Sequence, residues 1–373
     1  MFPRRIALIA GTLGKGGAER QLFYQATALH RMGIEVQVIT LTSGEFWESE
    51  LRRAGIRITY AGRRKSPLHR LKEIAEIIRR FGPDIVQSAH FYTNLYAWYA
   101  GKKAGVPSIG AVRNDCHSEV GAHPWPIGQF SLLKPDWIAV NSQEAMRGCT
   151  IYGRRAETIF YLPNVVDTKH FVQKTGPGIR EEVTLMWCGR MVEAKQPSMF
   201  VRLILKLRED GFPVRGIMTG DGPLLTRVRT LLQSGEKLAG ALHIVGSVDN
   251  TAEWYQKADI LVLTSRHEGT PNVVLEAMST GLAIVTTPVG GVRDLFGECS
   301  RECIASSGTV ADLLKLLQAL VGDHSLRLRI GATLRKRAET LFSLDILPNH
   351  LEALYKRVLR SRGSANVLAA TGQ

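Results

Sequence analysis

The stretch Arg5-Ile6-Ala7-Leu8-Ile9-Ala10 is short and apolar. It runs into the glycine-rich segment Gly11-Thr12-Leu13-Gly14-Lys15-Gly16-Gly17 and then into Glu19 to Arg31, where Leu22, Ala26 and Leu29 recur at helical spacing. Strand, loop and helix in that order make the opening unit of a parallel sheet wrapped by helices. The theme repeats outward from there. Val36 to Leu41 and Asp84 to Ser88 read as strands, Leu71 to Phe81 as a helix, and Leu95 to Ala104 as a helix stopped by Gly105. Val106 to Ile109 and Trp137 to Val140 follow as strands, with a helix cap at Asn141 or Ser142. The polar, Gly- and Pro-bearing stretch Lys174 to Arg180 has no period and is expected to separate two halves. A second series then runs through Thr184 to Cys188, Arg215 to Thr219, Leu242 to Val245, Ile260 to Thr264, Asn272 to Thr280 and Ala283 to Thr287. The tail Leu347 to Arg360 sets Leu351, Leu354, Tyr355 and Val358 on one face of a terminal helix. The expected fold class is α/β, with two Rossmann-like domains over residues 1–170 and 171–345 and a terminal helix and tail over 346–373.

A chain of 373 residues is long enough for two cores. Hydrophobic residues at 45% and charged residues at 22% exclude a disordered, collagen-like or coiled-coil chain. No segment approaches the roughly 18 uninterrupted apolar residues of a spanning helix, and Ile6 to Ala10 is too short for a secretory signal. Cys116, Cys149, Cys188, Cys299 and Cys303 are odd in number and hold no CxxC pair, so neither a disulfide framework nor a zinc site is expected, and a reducing cytoplasm is. Lys plus Arg exceed Asp plus Glu by 14. The excess is uneven, with 22 basic against 13 acidic residues in 1–165 and 26 against 21 in the remainder. Such a balance points to an anionic partner: a phosphorylated substrate, anionic lipid headgroups or nucleic acid. Nucleic acid is set aside, because no zinc-finger spacing, RRM-type aromatic box or basic helix leading into heptads occurs. Arg63, Arg64 and Lys65 with Arg70 and Lys72 form a basic cluster that reads either as a solvated face or as a membrane-surface patch.

The loop Gly11 to Gly17 lies where backbone N–H groups and a helix N-terminus can hold an anion. It matches neither common nucleotide code. Lys15 is followed by Gly16 rather than Ser or Thr, and Glu19 stands where the dinucleotide fingerprint needs its last glycine. The richest segment is Ser265-Arg-His-Glu-Gly-Thr-Pro-Asn-Val-Val-Leu-Glu-Ala-Met-Ser-Thr-Gly281. Thr270 as N-cap, Pro271 as first helical residue and Gly281 as the stop predict a helix over 271–280. Glu268 then precedes the helix and Glu276 lies in its second turn. Carboxylates repel a phosphate, so the two suit hydroxyls on either side of a phosphate held at the helix N-terminus. The plainer alternative makes Glu268 a helix-dipole carboxylate and Glu276 a surface residue. Arg190 and Lys195, in Cys188-Gly-Arg-Met-Val-Glu-Ala-Lys195, follow the first strand of the second half, where open α/β sheets bind ligands. Gly220-Asp-Gly-Pro223 reads as a structural turn.

In order along nearly the whole chain, Gly16-Gly-Ala-Glu-Arg20, Asn141-Ser142, Pro163-Asn164 with Asp167 and Phe171, Gly189-Arg190 with Lys195, Gly220-Asp-Gly-Pro223 and the E-x7-E pair Glu268 and Glu276 resemble glycosyltransferase family 4. The resemblance implies a retaining enzyme of GT-B fold, two Rossmann-like domains facing across a cleft, with the C-terminal helix crossing back to the N-terminal domain. It implies a nucleotide diphosphate sugar donor held by the second domain and a glycan or lipid-linked acceptor held by the first. UDP is the nucleotide taken here because it is common in the family. On that reading Arg190 and Lys195 bind the diphosphate and stabilise it as it leaves, and no metal cofactor is expected, since no Asp-x-Asp occurs. Glu276 would hold the ribose and Glu268 would sit by the donor sugar hydroxyls. Gly269, Thr270, Pro271 and Asn272 would place donors around sugar and phosphate, Gly16 and Gly17 would close over the diphosphate, and the loop Gly246 to Asp249 with Val248 would meet the base. His90 aligns with a cleft histidine of the family. Arg113, Asn114 and Asp115 are candidate acceptor contacts. The implied setting is bacterial exopolysaccharide, lipopolysaccharide or capsule synthesis by a cytoplasmic enzyme, peripheral at an anionic membrane face. Two readings compete with it: a nucleotide-sugar epimerase of the same fold, and a catalytically inactive nucleotide-sugar-binding subunit. A dinucleotide-dependent oxidoreductase is disfavoured by the missing fingerprint glycine.

Overall fold

The computed structural model describes residues 2–62, 66–174, 181–233 and 240–370. Arg63 to Lys65 of the basic cluster and most of the Lys174 to Arg180 break lie outside them. The chain divides into two compact units, Met1–Asn164 with Asp345–Gln373, and Val165–Leu344.

In the first unit the strands are β1 (Arg5–Ala10), β2 (Glu35–Thr40), β3 (Arg57–Tyr60), β4 (Ile85–Ser88), β5 (Ser108–Val112), β6 (Trp137–Val140) and β7 (Ile159–Tyr161). The helices between them are α1 (Gly17–Arg31), α2 (Phe46–Arg53), α3 (Pro67–Phe81), α4 (Asn94–Ala104), α5 (Cys116–Gly121), α6 (Ile127–Leu133) and α7 (Gln143–Ile151). The sheet is parallel, in the order β3-β2-β1-β4-β5-β6-β7. Its central strands are buried on both faces, which is why β1 reads as a continuous apolar run rather than an alternation. Helix ends follow local chemistry. Ser66 accepts from His69 N–H ahead of Pro67, Gly82 closes α3 at φ +64°, and Ser142 caps α7 through Ala145 N–H.

The second unit holds β8 (Val183–Cys188), β9 (Val214–Thr219), β10 (Leu242–Gly246), β11 (Ile260–Leu263) and β12 (Ala283–Thr286). Its helices are α8 (Pro197–Glu209), α9 (Leu225–Gln233), α10 (Ala252–Lys257), α11 (Asn272–Thr280), α12 (Val292–Phe296), α13 (Ser300–Cys303), α14 (Val310–Gly322) and α15 (His324–Leu341). This sheet is also parallel, ordered β10-β9-β8-β11-β12. The unit begins ahead of the boundary expected after residue 170, because Val166 N–H donates to Phe342 O, Leu344 N–H donates to Val166 O, and Phe171 is buried in the second core. Lys174 also belongs here, its Nζ 2.6 Å from Asp259 Oδ1.

The last helix, α16 (Leu347–Ala370), is part of the first unit. Leu351, Leu354, Tyr355 and Val358 are fully buried, as the amphipathic reading of the tail expects. Tyr355 Oη donates to Gln87 Oε1 at 2.6 Å, and Gln87 Nε2 donates to Gln25 Oε1, so β4, α1 and α16 share one buried polar chain. All five cysteines are free thiols.

Candidate active site at the strand-order reversals

In an open parallel sheet, ligands bind outside the carboxyl ends of the strands where the strand order reverses. In the second unit β8 is followed by β9 and β10 on one side, and the chain then returns to place β11 on the other. The reversal therefore lies between β8 and β11. The loop after β8 carries Arg190 and Lys195, and the loop after β11 carries Glu268 to Pro271.

These loops are joined. Lys195 Nζ donates to Glu268 Oε1, and Ser265 Oγ donates to the same oxygen at 2.7 Å. Arg266 N–H donates to Ala194 O at 2.8 Å, and Thr264 Oγ1 to Lys195 O at 2.8 Å. Glu268 is 9% exposed, so its charge is largely out of water and is offset by this ammonium and hydroxyl. Arg190 is exposed on the same loop. Gly220-Asp-Gly-Pro223 braces that loop from β9, as the sequence suggests. Gly220 has φ +126°, and a Cβ there would lie 1.9 Å from Gly189 O; Met191 N–H donates to Asp221 O at 2.8 Å.

The helix after β11 starts one residue later than expected. Pro271 is extended (φ −72°, ψ 117°) and serves as the N-cap, its carbonyl accepting from Val274 and Leu275 N–H. Thr270 is therefore not the cap, consistent with the bias of a residue before proline away from helical geometry. Gly269, Thr270 and Pro271 are buried and Asn272 half-buried around this N-terminus. Glu276 is 2% exposed on a helix whose residues from Val274 to Thr280 are all buried, so it is not a surface residue. Val248 is half-buried in the loop that leaves the edge strand β10, where Gly246 O accepts from Gly220 N–H at 2.7 Å.

Gly290 is a member of this site that the sequence reading passes over. It has φ +46°, a Cβ there would come within 2.0 Å of Glu268 O, and the adjacent Gly291 N–H donates to Gly269 O at 2.6 Å. The loop after β12 thus fixes the backbone at Glu268 by close approach, and Gly290-Gly291 after a strand is the signal that could have found it.

In the first unit the order reverses between β1 and β4. Gly11 N–H, at the end of β1, donates to His90 Nδ1 at 3.1 Å, so that nitrogen carries the lone pair and Nε2 donates to Glu19 Oε1 at 3.2 Å. His90 also stacks on Tyr92, with ring centroids 5.2 Å apart. Gly16 is the N-cap of α1, where a Cβ would meet Glu19 Oε2 at 1.9 Å, and Gly17 is its first residue. Glu45 was also missed from sequence. It accepts from Thr12 Oγ1, Thr42 Oγ1 and Leu13 N–H and so pins the glycine-rich loop.

Of the three acceptor candidates, Asp115 caps α5 by accepting from Ser118 N–H and Oγ at 2.8 and 2.9 Å, and Asn114 Oδ1 accepts from Asp115 N–H. Arg113 donates to Leu162 O at 3.4 Å, and burial pulls its guanidinium down to about 10. Beside them Glu119 is pushed up to about 7. Burial dominates there, outweighing the Arg113 and Asn114 N–H groups, which favour the charged form. Among the described residues no group of three or more His, Cys, Asp or Glu side chains could hold a metal ion.

Two parallel α/β units with charged strand-end loops are the frame of the GT-B glycosyltransferases. HepE from Anabaena, solved with UDP and glucose, superposes with a TM-score of 0.78 at 17% identity, over 93% of this chain and 97% of that one. "Glycosyltransferase Family 4" matches residues 15–170 and "Glycosyl transferases group 1" matches 182–323, and the chain belongs to family 4 of the GT-B glycosyltransferases. A D-inositol 3-phosphate glycosyltransferase of Gordonia bronchialis is 23% identical, over 99% of this chain and 92% of its own length. A Campylobacter jejuni N-acetylgalactosaminyltransferase named for a diphospho-undecaprenol acceptor is 21% identical, over 94% of this chain and 99% of its own.

Proposed function

We propose that this glycosyltransferase is a retaining enzyme that moves a sugar from a UDP-sugar to a lipid-linked or polysaccharide acceptor in the synthesis of a bacterial cell-surface glycan. The observation that carries the reading is the meeting of Lys195 with Glu268 at the β8–β11 reversal, beside exposed Arg190 and the N-terminus of α11. A diphosphate at that helix end would draw on Arg190 and Lys195 for charge and on backbone N–H groups for hydrogen bonds. Glu268 and the buried Glu276 would then accept from sugar and ribose hydroxyls. The acceptor hydroxyl attacks the anomeric carbon on the face from which the diphosphate departs. The bond from that carbon to the phosphate oxygen breaks, its electron pair stays on the phosphate, and the same oxygen takes the acceptor proton. No enzyme nucleophile enters, and Arg190 and Lys195 supply the charge stabilisation that a metal gives other transferases.

The C. jejuni relative supports a lipid-linked acceptor. The inositol-phosphate relative favours a second reading, a phosphorylated soluble acceptor. No helix among the described residues is long and apolar enough to cross a membrane, so the lipid-linked reading requires the enzyme to reach its acceptor from the bilayer surface at the cytoplasmic face. Incubation with radiolabelled UDP-sugars, total bacterial lipid and inositol phosphate tests the proposal. Label moving into the lipid phase with its anomeric configuration kept is expected. Label appearing only as an epimer of the donor would establish the epimerase reading instead, and label on inositol phosphate the second.

A further inference from the structure

The first unit exposes a compact apolar ridge on α6 and the turn before it. Trp125 is 82% exposed, and Ile127, Phe130 and Leu133 are also exposed, at spacings that align on one face of the helix. The opposite face, Gly128, Ser131 and Leu132, is buried. This is the reverse of a surface helix that hides its apolar stripe.

The ridge is not a frayed end. Arg154 is 7% exposed and its guanidinium donates to Leu132 O, Leu133 O, Pro135 O and Asp136 O at 3.4, 3.1, 2.7 and 2.5 Å. Asn94 Nδ2 donates to Ser131 O at 3.1 Å, and a Cβ at Gly128 would lie 2.2 Å from Val120 O. The fold holds α6 tightly by its inner side and still presents four large apolar side chains outward.

Lysines adjoin the ridge. Lys134 Nζ lies 5.3 Å from the Phe130 ring and 5.8 Å from the Trp98 ring, and Lys102 Nζ lies 5.6 Å from Trp98. Lys103 stands over Tyr99, also on α4. Asp136, two residues beyond Lys134, is engaged by Ser108 N–H and Oγ at 2.8 and 2.7 Å. Exposed tryptophan, isoleucine, phenylalanine and leucine beside ammonium groups are the composition that inserts at the headgroup–acyl boundary of an anionic bilayer.

We propose that the Trp125–Leu133 ridge, with Lys134 over Phe130 and Lys102 and Lys134 both at Trp98, seats the first unit on an anionic lipid surface. This rests on the lipid-linked acceptor reading and names the surface that would serve it. The test is cosedimentation of the full chain with phosphatidylcholine vesicles, with and without phosphatidylglycerol. Melting with UDP is followed in parallel as an independent readout of the donor site. The wild type is expected to pellet only with phosphatidylglycerol and to be released by salt. Trp125→Ser with Phe130→Ser, and separately Lys102→Glu with Lys134→Glu, are expected to lower binding tenfold or more, while Leu328→Ser, an exposed leucine of the second unit, leaves it unchanged. If the ridge variant is unstable, quenching of wild-type tryptophan fluorescence by brominated phosphatidylglycerol reads the same insertion. Equal binding by the ridge variants, no vesicle binding by the wild type, or a wild-type dimer that becomes a monomer on ridge substitution would overturn the proposal. With the UDP response intact, such a result removes the docking surface alone. Loss of the UDP response with binding retained removes the donor-site reading instead.

Discussion

Arg190 and Lys195 leave the same strand end but sit in different surroundings, one exposed and the other paired with a mostly buried carboxylate. Arg190→Ala should leave the melting temperature in place and lower kcat/KM by the roughly 2–4 kcal/mol that one stabilising group on a developing anion supplies. Lys195→Ala should lose a similar amount of activity and also melt a few degrees lower, because Glu268 is left with Ser265 alone. Thermal melts and initial rates on the two variants check both halves, and wild-type turnover in both would exclude the role. Glu119 gives a pH signature. Its folded-state pKa, pushed up to about 7 from the ordinary 4.5, means that the folded protein binds the extra proton. Glu119 therefore has no effect below about pH 4.5, erodes stability as pH rises towards 7, and imposes its full penalty above that. Glu119→Gln keeps an acceptor for the Arg113 and Asn114 N–H groups. It should match the wild type in denaturant melts at pH 4.5 and exceed it by on the order of 3 kcal/mol at pH 8. Equal stabilities at pH 8 would contradict the shift. Arg190, Lys195, Glu268 and Glu276 stand out in the sequence by residue type, by spacing and by their likeness to family 4, and the structure places their loops at the β8–β11 reversal. The Lys195–Glu268 pairing was not, since 73 residues separate them and only the β8–β11 adjacency brings them together. Likewise His90 could be picked out as a strand-end histidine, whereas its commitment to Gly11 and Glu19 depends on β1 lying beside β4.

Elements with a two-sided apolar run or a broad stripe could be read directly. The central strands β1, β4, β8 and β11 and the terminal helix α16 are of this kind; the strand ends fall within a residue of the expected ones, whereas α16 runs on to Ala370, ten residues past the Arg360 at which its apolar face led the reading to stop. The edge strands β3 and β7 have four and three residues and are only partly covered, so they lack that run. Helix α15 buries only Ile330, Gly331, Leu334 and Ala338 of its 18 residues, a stripe too narrow to stand out in a basic segment, and Gly331 is there because a Cβ would strike Gly281 O at 2.0 Å. Helix α14 is different. Leu313, Leu314, Leu317, Leu320 and Val321 spell out a helical period that the sequence reading did not use. For α16, the burial of Leu351 and its neighbours makes the helix part of the first unit's core. Leu351→Ala should lower the stability of the protein by about 2–5 kcal/mol in urea unfolding. A change below about 1 kcal/mol would mean that α16 is not integral to that core.

For the whole molecule, the sequence carried the class α/β and the repetition of one theme in two halves, since both follow from local periodicity. It could not carry the strand orders, which decide where each crevice opens and which loops meet there. The basic excess of the first half likewise pointed to an anionic partner without saying which, and the exposed ridge on α6 emerges only once Arg154 and Asn94 are seen to hold its other face. If Arg190 and Lys195 take the place of a metal at the diphosphate, sugar transfer measured with labelled donor should proceed at an unchanged rate in EDTA. Complete inhibition restored by magnesium would reverse that part of the mechanism. The most direct measurement is a thermal shift with UDP, GDP and ADP on the wild type and on the Arg190→Ala, Lys195→Ala double variant. A nucleotide at a concentration of about 100 Kd should stabilise the wild type by roughly 2.7 kcal/mol. UDP alone should raise the wild-type melting temperature and leave that of the double variant unmoved. A shift that survives in the double variant, or no shift with any of the three nucleotides, would contradict it.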